Sequence, residues 1–358
     1  MSGQRPVISR RHIRKREVSH YMDYVGKSCR VPCKVVIPTF DRPDVVCATT
    51  LSLLKRQGVD LSTVALFVSP DRPPQSKQPE WERYLLALRK HDMMEVQLLS
   101  GGSGLTGNMI AAMTWVKEGY FLTMSDRVSE IFHRVQHGTN APKLVPAPIG
   151  TLPALIAHGY DMMKKGGFVA WSVNPAKNVM MLRDNVLSCR LGLLDGNLTG
   201  CLLPANWQSL QVRADHGLIY DVEWTVRLWA SNRKFFRYAE ICVQHPYRSH
   251  GGQRALYPNG LRRRVAENGA LRRLAVAFPK LIEIISKPRC TLKTMLYRFK
   301  HSSEPPIKML RGPQVGRRRK HVATRAMTPA ERKRKQRGMG TVQRKRRRTS
   351  STRTKIKR

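Results

Sequence analysis

The segment KVVIPTFDRP, residues 34–43, decides the fold because it begins a regular alternation of strands and helices. Its β-branched start predicts a buried strand, and the Asp-Arg-Pro at its end predicts a loop. Cys47, Leu51 and Leu54 then repeat at positions i, i+4 and i+7, which is the spacing of an amphipathic helix. The core therefore opens with a strand–helix unit.

The alternation continues as far as residue 124. This order is typical of an α/β fold with a Rossmann-type, mostly parallel sheet and helices on both faces. In open sheets of this type, ligands bind beyond the carboxyl ends of the strands, where the loops converge. The further segments are the strand VALFV at 64–68, a helix containing Trp81, Tyr84, Leu85 and Leu88, the strand VQLL at 96–99, the turn GGSGLTGN at 101–108, the helix MIAAMTWV at 109–116 and the strand YFLTM at 120–124.

The second half of the chain has a looser pattern. We predict that it supplies the acceptor side of the binding site, where a second substrate would lie. Strands and helices no longer alternate regularly there, and no internal repeat is present. The predicted segments are a helix at 151–165, strands at 168–173 and near 186–191, the loop GCLLPANW at 200–207, a helix at 220–230, a strand at 238–243 and a helix at 271–278.

The net charge of +41 is concentrated near the C-terminus. Residues 287–358 hold 26 Lys and Arg against two acids, whereas residues 34–286 hold 31 against 20. So basic a segment, poor in large apolar side chains, buries too little surface to offset its ordering entropy. We predict a disordered basic N-terminal arm at 1–33, one α/β domain at 34–286 and a disordered Lys/Arg-rich tail at 287–358.

Basic runs in this tail predict either a signal for the nuclear import machinery or an arm that binds nucleic-acid phosphates. A solvated tail without a dedicated partner is the alternative. The run RRHIRKR at 10–16 repeats the pattern near the N-terminus. The tail residues concerned are Arg317, Arg318, Arg319, Lys320, Lys333, Arg334, Lys335, Arg344, Lys345, Arg346, Arg347 and Arg348.

Seven cysteines at irregular spacing predict neither a disulfide framework nor a zinc site. A reduced, intracellular compartment fits this usage best. The N-terminus lacks the apolar stretch of a signal peptide, and no apolar run of about eighteen residues occurs. We therefore expect no membrane attachment.

The strand at 120–124 is followed by SDRV, which places Asp126 at the carboxyl end of the strand. This motif is similar to the D-x-D of nucleotide-sugar transferases, but it retains one carboxylate. Mg²⁺ often binds through one or two protein carboxylates plus substrate phosphates, so a single Asp is compatible with a metal. Alternatively, Asp126 caps a loop or helix, and Glu130 is either a second ligand or a surface charge.

The segment YDVEWTVRLW at 220–229 supplies two candidate general bases, Asp221 and Glu223. On a helix they stand about 200° apart, so only one of them can point into a cleft. Each also has a purely structural role open to it, Asp221 as an N-terminal cap and Glu223 in an i, i+4 pair with Arg227. We favour Asp221 as the base and keep Glu223 as the alternative.

The segment QHPYRSHGGQ at 244–253 combines histidines with paired glycines that let the backbone approach a phosphate. His245 and His250 are candidate contacts for a metal or a leaving diphosphate, although structural histidines are commoner. The turn at 101–108 has neither the P-loop pattern nor the Rossmann spacing, which argues against ATP or NAD binding.

Taken together, KVVIPTFDRP, the helix start GLTGN, the strand ending in Ser-Asp, the D-x-E-W helix and the late Gly-Gly resemble the TET-associated glycosyltransferases. That family includes the base J glucosyltransferase and the transferase domain of the GREB proteins. The resemblance covers about residues 34–286. It implies a GT-A-like fold, a UDP-sugar donor, a possible divalent metal (Mg²⁺ or Mn²⁺) and, in the DNA-modifying branch, a hydroxymethylated base as acceptor.

The resemblance also implies roles for individual residues. Asp221 or Glu223 would lie at the reacting hydroxyl, and the SDR sequence, which replaces a fuller acidic cluster, puts tight metal dependence in doubt. The implied donor-binding residues are Pro38, Thr39, Arg42, Asn108, Ser125, Asp126, Gly251 and Gly252, and the candidate metal ligands are Asp126, His245 and His250.

The sequence thus predicts a nuclear enzyme that moves a hexose, preferably glucose from UDP-glucose, to a hydroxymethylated base in DNA with inversion. The base would have to leave the duplex, and the basic arms would add affinity for phosphates. Two alternatives stay open: Ser or Thr of nuclear proteins as the acceptor, and a noncatalytic nucleic-acid-binding protein built on a transferase scaffold.

Overall fold

The computed structural model describes the greater part of residues 20–300, all of it within the compact unit Met1–Leu310. Gly251, Gly252, His250, the run at 10–16 and the basic runs of the tail lie outside the described residues. The described ranges are 20–26, 31–71, 78–135, 141–174, 177–183, 187–194, 196–213, 218–232, 234–245, 260–285 and 296–300.

The described elements alternate between strands and helices in the first half and become mixed in the second. Strands are β1 (Lys34–Thr39), β2 (Val64–Val68), β3 (Gln97–Ser100), β4 (Gly119–Met124), β5 (Glu130–Val135), β6 (Lys143–Pro146), β7 (Ala170–Asn174), β8 (Leu187–Ser188), β9 (Leu198–Leu203), β10 (Phe235–Gln244), β11 (Ile282–Ile285) and β12 (Leu296–Phe299). Helices are α1 (Pro43–Val46), α2 (Ser52–Arg56), α3 (Glu80–Lys90), α4 (Gly104–Val116), α5 (Thr151–Gly166), α6 (Tyr220–Asn232) and α7 (Gly260–Ala277). A π-helical turn, Cys47–Leu51, joins α1 to α2, and 3₁₀ turns occupy His20–Tyr24, Leu61–Thr63 and Trp207–Leu210.

Within the described residues, one large sheet has the strand order β3-β2-β1-β4-β9-β7-β10-β5-β6, with β8 added beside β10. Strands β1 to β4 pair in parallel, and β10 pairs in parallel with β7. Strand β9 runs against both of its neighbours, and β5 runs against β10 and β6. Most strands therefore share one direction in a mixed sheet, and the predicted α/β class is confirmed.

Helices cover both faces of this sheet, and successive side chains of β1 pack against helices on opposite faces. Ile37 packs on one face with Leu54 and Tyr84 from the helices that follow β1 and β2. Val36 points to the other face and belongs to a separate cluster that includes Met113 of α4. The polar loops at the carboxyl ends of β1 and β4 are thereby left at one edge of the sheet.

The prediction of a loop at 200–207 was wrong for its first part, because Leu198–Leu203 forms the central strand β9. Glycine suggested a turn, but Gly200 serves packing. A Cβ at Gly200 would lie 2.2 Å from Nε1 of Trp171, which is fully buried on the neighbouring strand. Glycine here makes room for an aromatic side chain.

Two predicted helices begin earlier in the structure than the sequence suggested. Helix α4 begins at Gly104, whose φ of +64° suits glycine, and the carboxylate of Asp71 accepts the Gly104 amide at 2.9 Å. Helix α7 begins at Gly260 instead of residue 271. Its fully buried positions, Ala270, Leu271 and Leu274, all lie in its second half. Sparse apolar spacing hid its first half.

Described elements also lie on either side of the predicted range 34–286. Tyr21, in the first 3₁₀ turn, is 2% exposed and packs in the main core. Strand β12 pairs antiparallel with β11, from Ile282 opposite Phe299 to Ile285 opposite Leu296. Within the described residues, no helix has the length and hydrophobicity needed to cross a bilayer.

Candidate active site

A cavity of about 530 Å³ opens where β1 and β4 end, between α4, α6 and α7. It has two walls built from different parts of the chain. The donor wall, named for the role that the sequence predicts for its residues, comprises the residues that follow β1 and β4 and those of α4. The acceptor wall, named for the predicted position of the general base, comprises residues of α6, α7 and β12. The cavity lies at the carboxyl edge of the parallel strands, which is where α/β sheets bind ligands.

Asp126 is the centre of the donor wall and is only 4% exposed. Arg42 Nη1 donates to its Oδ1 at 2.8 Å, and the Thr39 hydroxyl donates to its Oδ2 at 3.0 Å. The hydroxyls of Thr39 and Tyr84 lie 2.6 Å apart, and the Arg42 amide donates to the Tyr84 hydroxyl at 3.0 Å. The carboxylate is therefore held on both oxygens by neighbours that themselves are fixed.

Asn108 extends this wall from the second turn of α4. Its Nδ2 donates to the Thr39 carbonyl at 3.2 Å. Gly101 is required beside it, because a Cβ there would lie 1.9 Å from Asn108 Oδ1. The predicted donor residues that the structure brings to this one cavity are Pro38, Thr39, Arg42, Asn108, Ser125 and Asp126.

The first turn of α6 separates the two candidate bases. Asp221 is half-buried and lines the cavity. Glu223 lies outside the lining, is fully buried and accepts from Arg227 Nε at 2.7 Å. The helical rotation of about 200° between them explains the difference. Glu223 therefore has the structural i, i+4 role that the sequence left open.

Gly196 gives Asp221 its space in the acceptor wall. A Cβ at this position would lie 2.4 Å from Asp221 Oδ1. No larger residue fits unless the carboxylate moves. The loop before β9 and the start of α6 are thus matched to each other at this point.

Most of the acceptor wall was not predicted from the sequence. Arg263, Glu267 and Leu271 line the cavity from α7, and Tyr297 lines it from β12. The first three stand at i, i+4 and i+8, a helical stripe that was overlooked because α7 was expected to begin at residue 271. Arg127, within the SDR sequence itself, also lines the cavity.

Tyr297 lies close enough to Asp221 for the two to interact electrostatically. Burial and then the Asp221 carboxylate raise the pKa of Tyr297 to about 12. Its phenol, like that of any tyrosine at neutral pH, carries its proton and is a hydrogen-bond donor. Tyr220 also has a raised pKa, through burial first and the Asp221 charge second.

The predicted metal ligands do not come together among the described residues. His245 follows β10 and is absent from the cavity lining; burial and then the Arg127 charge lower its pKa. Glu130 is paired with Arg56 at 2.9 Å near the surface. No group of three His, Cys, Asp or Glu side chains in the described ranges could hold an ion by itself.

Asp126 alone remains as a cavity carboxylate on the donor wall. One carboxylate fits a Mg²⁺ or Mn²⁺ ion that arrives with a diphosphate, since Mg²⁺ keeps most of its ligands as phosphate oxygens and water. Such an ion would share Asp126 with Arg42.

The chain is similar to known proteins in its fold, but no family model and no curated protein matches it. Its fold resembles that of nucleotide-sugar glycosyltransferases. A mannosyltransferase from Pyrobaculum calidifontis, solved with GDP-mannose and Mn²⁺, is 12% identical at a TM-score of 0.43, covering 73% of this chain and 67% of the other.

Two further transferases show the same partial similarity. TarS 1–349 of S. aureus with UDP-GlcNAc is 10% identical at a TM-score of 0.45, covering 68% of this chain and 65% of that chain. Glucosyl-3-phosphoglycerate synthase of Mycobacterium tuberculosis with Mn²⁺, UDP and phosphoglyceric acid is 10% identical at 0.41, with coverage of 79% and 92%. These TM-scores, all below 0.5, show a partial similarity of fold and assign no role to any residue.

Proposed function

We propose that this protein is a hexosyltransferase that moves glucose from UDP-glucose to a hydroxymethylated base in DNA, with inversion at the sugar. One observation carries the proposal. Asp221, which suits a general base, shares a single cavity with Arg42, Asp126 and Asn108, which suit a nucleotide diphosphate. A cation and a carboxylate near the donor, and a second carboxylate near the acceptor, are the groups that such a transfer needs.

Donor binding would rest on charge and on fixed hydrogen-bonding groups. Arg42 and Arg127 both line the cavity and can neutralise diphosphate oxygens. A divalent ion bound with the donor would add charge neutralisation, and Asp126 is the residue that would hold it. Asn108 is fixed by its bond to the Thr39 carbonyl, so it offers its polar group without further ordering.

In the transfer step, Asp221 acts as the general base. The acceptor hydroxyl gives its proton to the Asp221 carboxylate while its oxygen bonds to the anomeric carbon. The bond between that carbon and the diphosphate oxygen breaks, and its electron pair leaves with the nucleoside diphosphate. Attack from the face opposite the leaving group inverts the sugar.

The excess of basic residues, a net charge of +41, supports a nucleic acid as the acceptor. Ser or Thr of a nuclear protein would leave the donor chemistry unchanged. A noncatalytic nucleic-acid-binding protein is the second candidate, and one observation favours it: Arg42 already neutralises the Asp126 carboxylate.

A product assay with the full chain tests the proposal. The protein is incubated with UDP-glucose and other UDP-sugars, with and without Mg²⁺ or Mn²⁺, and with hydroxymethylated oligonucleotides or Ser/Thr peptides. We expect a mass increase of one hexose on the oligonucleotide. A hexose on the peptide alone would show that the acceptor is a protein and not DNA. DNA binding without UDP binding or turnover would support the noncatalytic alternative.

We also propose a nuclear location, with the basic tail as import signal and DNA-binding arm. Truncation should begin at residue 311, where the compact unit ends, because a cut at 287 would remove Tyr297 from the cavity. We expect the truncated protein to lose nuclear accumulation while keeping UDP binding. In a matched control, every Lys of the tail is replaced by Arg and every Arg by Lys, so that the tail keeps its charge. An unchanged distribution after truncation would contradict the proposal.

A further inference from the structure

Helix α7 has two faces with different surroundings. Its inner face contributes Arg263, Glu267 and Leu271 to the cavity. The Arg263 Nε donates to Glu267 Oε1 at 2.8 Å, so this inner pair is internally matched. The helix therefore connects the interior of the site with the protein surface beside it.

The outer face of α7 is strongly basic. Arg262, Arg264, Arg272 and Arg273 are exposed. By helical rotation Arg272 lies at the centre of this face, whereas Arg262 and Arg264, about 200° apart, lie at its two edges. Glu267 is the one acid in the helix and lies on the inner side. Positions 264 and 272 are eight residues apart, roughly 12 Å along the helix axis. Charges with this separation can contact different phosphates of one strand, because a strand carries one phosphate for about every 3.4 Å of duplex axis.

Exposed apolar side chains lie on the same outer face. Leu261 is 54% exposed, Val265 64% and Val276 80%. Together with the arginines they form a surface of apolar and cationic groups. The cations can contact the phosphates of a nucleic acid strand, and the apolar groups can contact its sugars.

Tyr297 completes the acceptor wall from β12. It is half-buried, lines the cavity and packs edge-on against Phe299, with ring centroids 5.5 Å apart. An aromatic ring beside a reactive carboxylate is a platform on which a planar base can stack. Its phenol also offers a hydrogen-bond donor to that base.

We propose that α7 and β12 form the nucleic-acid recognition element of this protein: the acceptor base enters the cavity against Tyr297, and the adjoining phosphates cross the outer face of α7. This rests on the proposed function and names the two elements that would hold its nucleic-acid acceptor. An acidic protein surface would also contact the arginines, but it does not present regularly spaced phosphates together with a planar base. The combination of the arginines with Tyr297 therefore favours the nucleic acid.

Photocrosslinking tests the placement directly in the full chain. An oligonucleotide carrying 5-iodouracil at the acceptor position is irradiated with the protein, and the crosslinked peptides are identified by mass spectrometry. We expect crosslinks within 260–300, centred on Tyr297. Crosslinks confined to the basic tail would overturn the assignment.

Charge reversal tests the outer face. The double variant Arg264→Glu/Arg272→Glu should bind a hydroxymethylated oligonucleotide at least about tenfold more weakly. The slope of its log affinity against log salt concentration should decrease by about two, as expected for the loss of two phosphate contacts. The matched control, Lys164→Glu/Lys165→Glu, changes two exposed cations at the end of α5 on the other face of the sheet. Equal effects in both variants would show a mere loss of net charge and would overturn the proposal.

Substitutions of Tyr297 separate stacking from general packing. Tyr297→Phe keeps the ring and should retain acceptor KM within a few-fold, whereas Tyr297→Leu should raise it by roughly 5- to 150-fold. A lower kcat with unchanged acceptor KM in Tyr297→Leu would contradict the stacking role. If wild-type protein crosslinks at 260–300 but turns over no UDP-sugar, the recognition element stands and the proposed transfer fails.

Discussion

The donor wall and the acceptor wall of the cavity are built in opposite ways. On the donor wall, Asp126 is buried and both of its oxygens are occupied by Arg42 and Thr39. On the acceptor wall, Asp221 is half-buried, and Tyr297 comes from a strand far along the chain. Both walls join segments that are far apart in the chain, but the buried Asp126 is held in one position by its hydrogen bonds, whereas the half-buried Asp221 lines the cavity.

The largest expected effect tests whether the acceptor wall carries the chemistry. Asp221→Asn preserves shape but removes the proton acceptor, so kcat should fall by roughly 10²- to 10⁴-fold. UDP affinity, measured by calorimetry, reports whether the donor wall is intact in the variant. A kcat within tenfold of the wild type would remove Asp221 from the base role.

A second prediction concerns the stability of the donor wall. Arg42→Ala leaves the buried Asp126 carboxylate without its cation and should lower the free energy of unfolding by about 3–5 kcal/mol. The matched change Arg56→Ala breaks an exposed pair with Glu130 and should cost about 0–1 kcal/mol. Denaturant unfolding measures both. Similar losses in the two variants would mean that the donor wall is no more tightly held than the surface.

A smaller effect should follow from crowding the acceptor wall. In Gly196→Ala, the new Cβ would collide with Asp221 Oδ1, which must move. Displacing a catalytic group by about 1 Å can lower the rate on the order of 10²-fold. Gly269→Ala is the control, because its Cβ would meet only Arg273 at 3.5 Å. If initial rates are equal in both variants, the position of Asp221 is not critical.

The smallest effect lies at the edge of the donor wall, where Asp71 caps α4. Burial opposes its ionisation, but bonds from Ser69, the Gly104 amide and Ser103 lower its pKa overall. Replacing it in Asp71→Ala should cost about 1 kcal/mol at pH 7. Because the folded-state pKa is below the unfolded value, this contribution is present above about pH 4 and is lost as the pH falls further. Urea unfolding of both proteins at pH 7 and pH 3 measures it, and a difference that grows on acidification would contradict the assignment.

The sequence indicated which residues meet on the donor wall because the information is local. Strand β1 and its following loop, the Ser-Asp at the end of β4 and Asn108 of α4 each belong to one short segment. Parallel strands bring their carboxyl ends to the same edge, so the meeting of these segments follows from the strand–helix order. Their roles in donor binding stay predictions.

The sequence was less informative about the acceptor wall. Helix α7 was predicted too short, since arginines separate its few apolar positions, and Arg263 and Glu267 were therefore not considered. Strand β12 lies beyond the predicted domain range, so Tyr297 was also missed. Short antiparallel strands with no alternation give little signal against a basic background.

By itself, the sequence determined the α/β class, the order of the early strands and the position of Asp126 at a strand end, because these depend on apolar periodicity and neighbouring residues. Only the tertiary structure decided that Asp221, and not Glu223, lines the cavity, and that Arg263 and Tyr297 join it. Helical periodicity places the two acids on opposite sides of α6 but does not say which side meets the cavity. That choice depends on how α6 packs on the sheet, which is a contact between segments far apart in the chain.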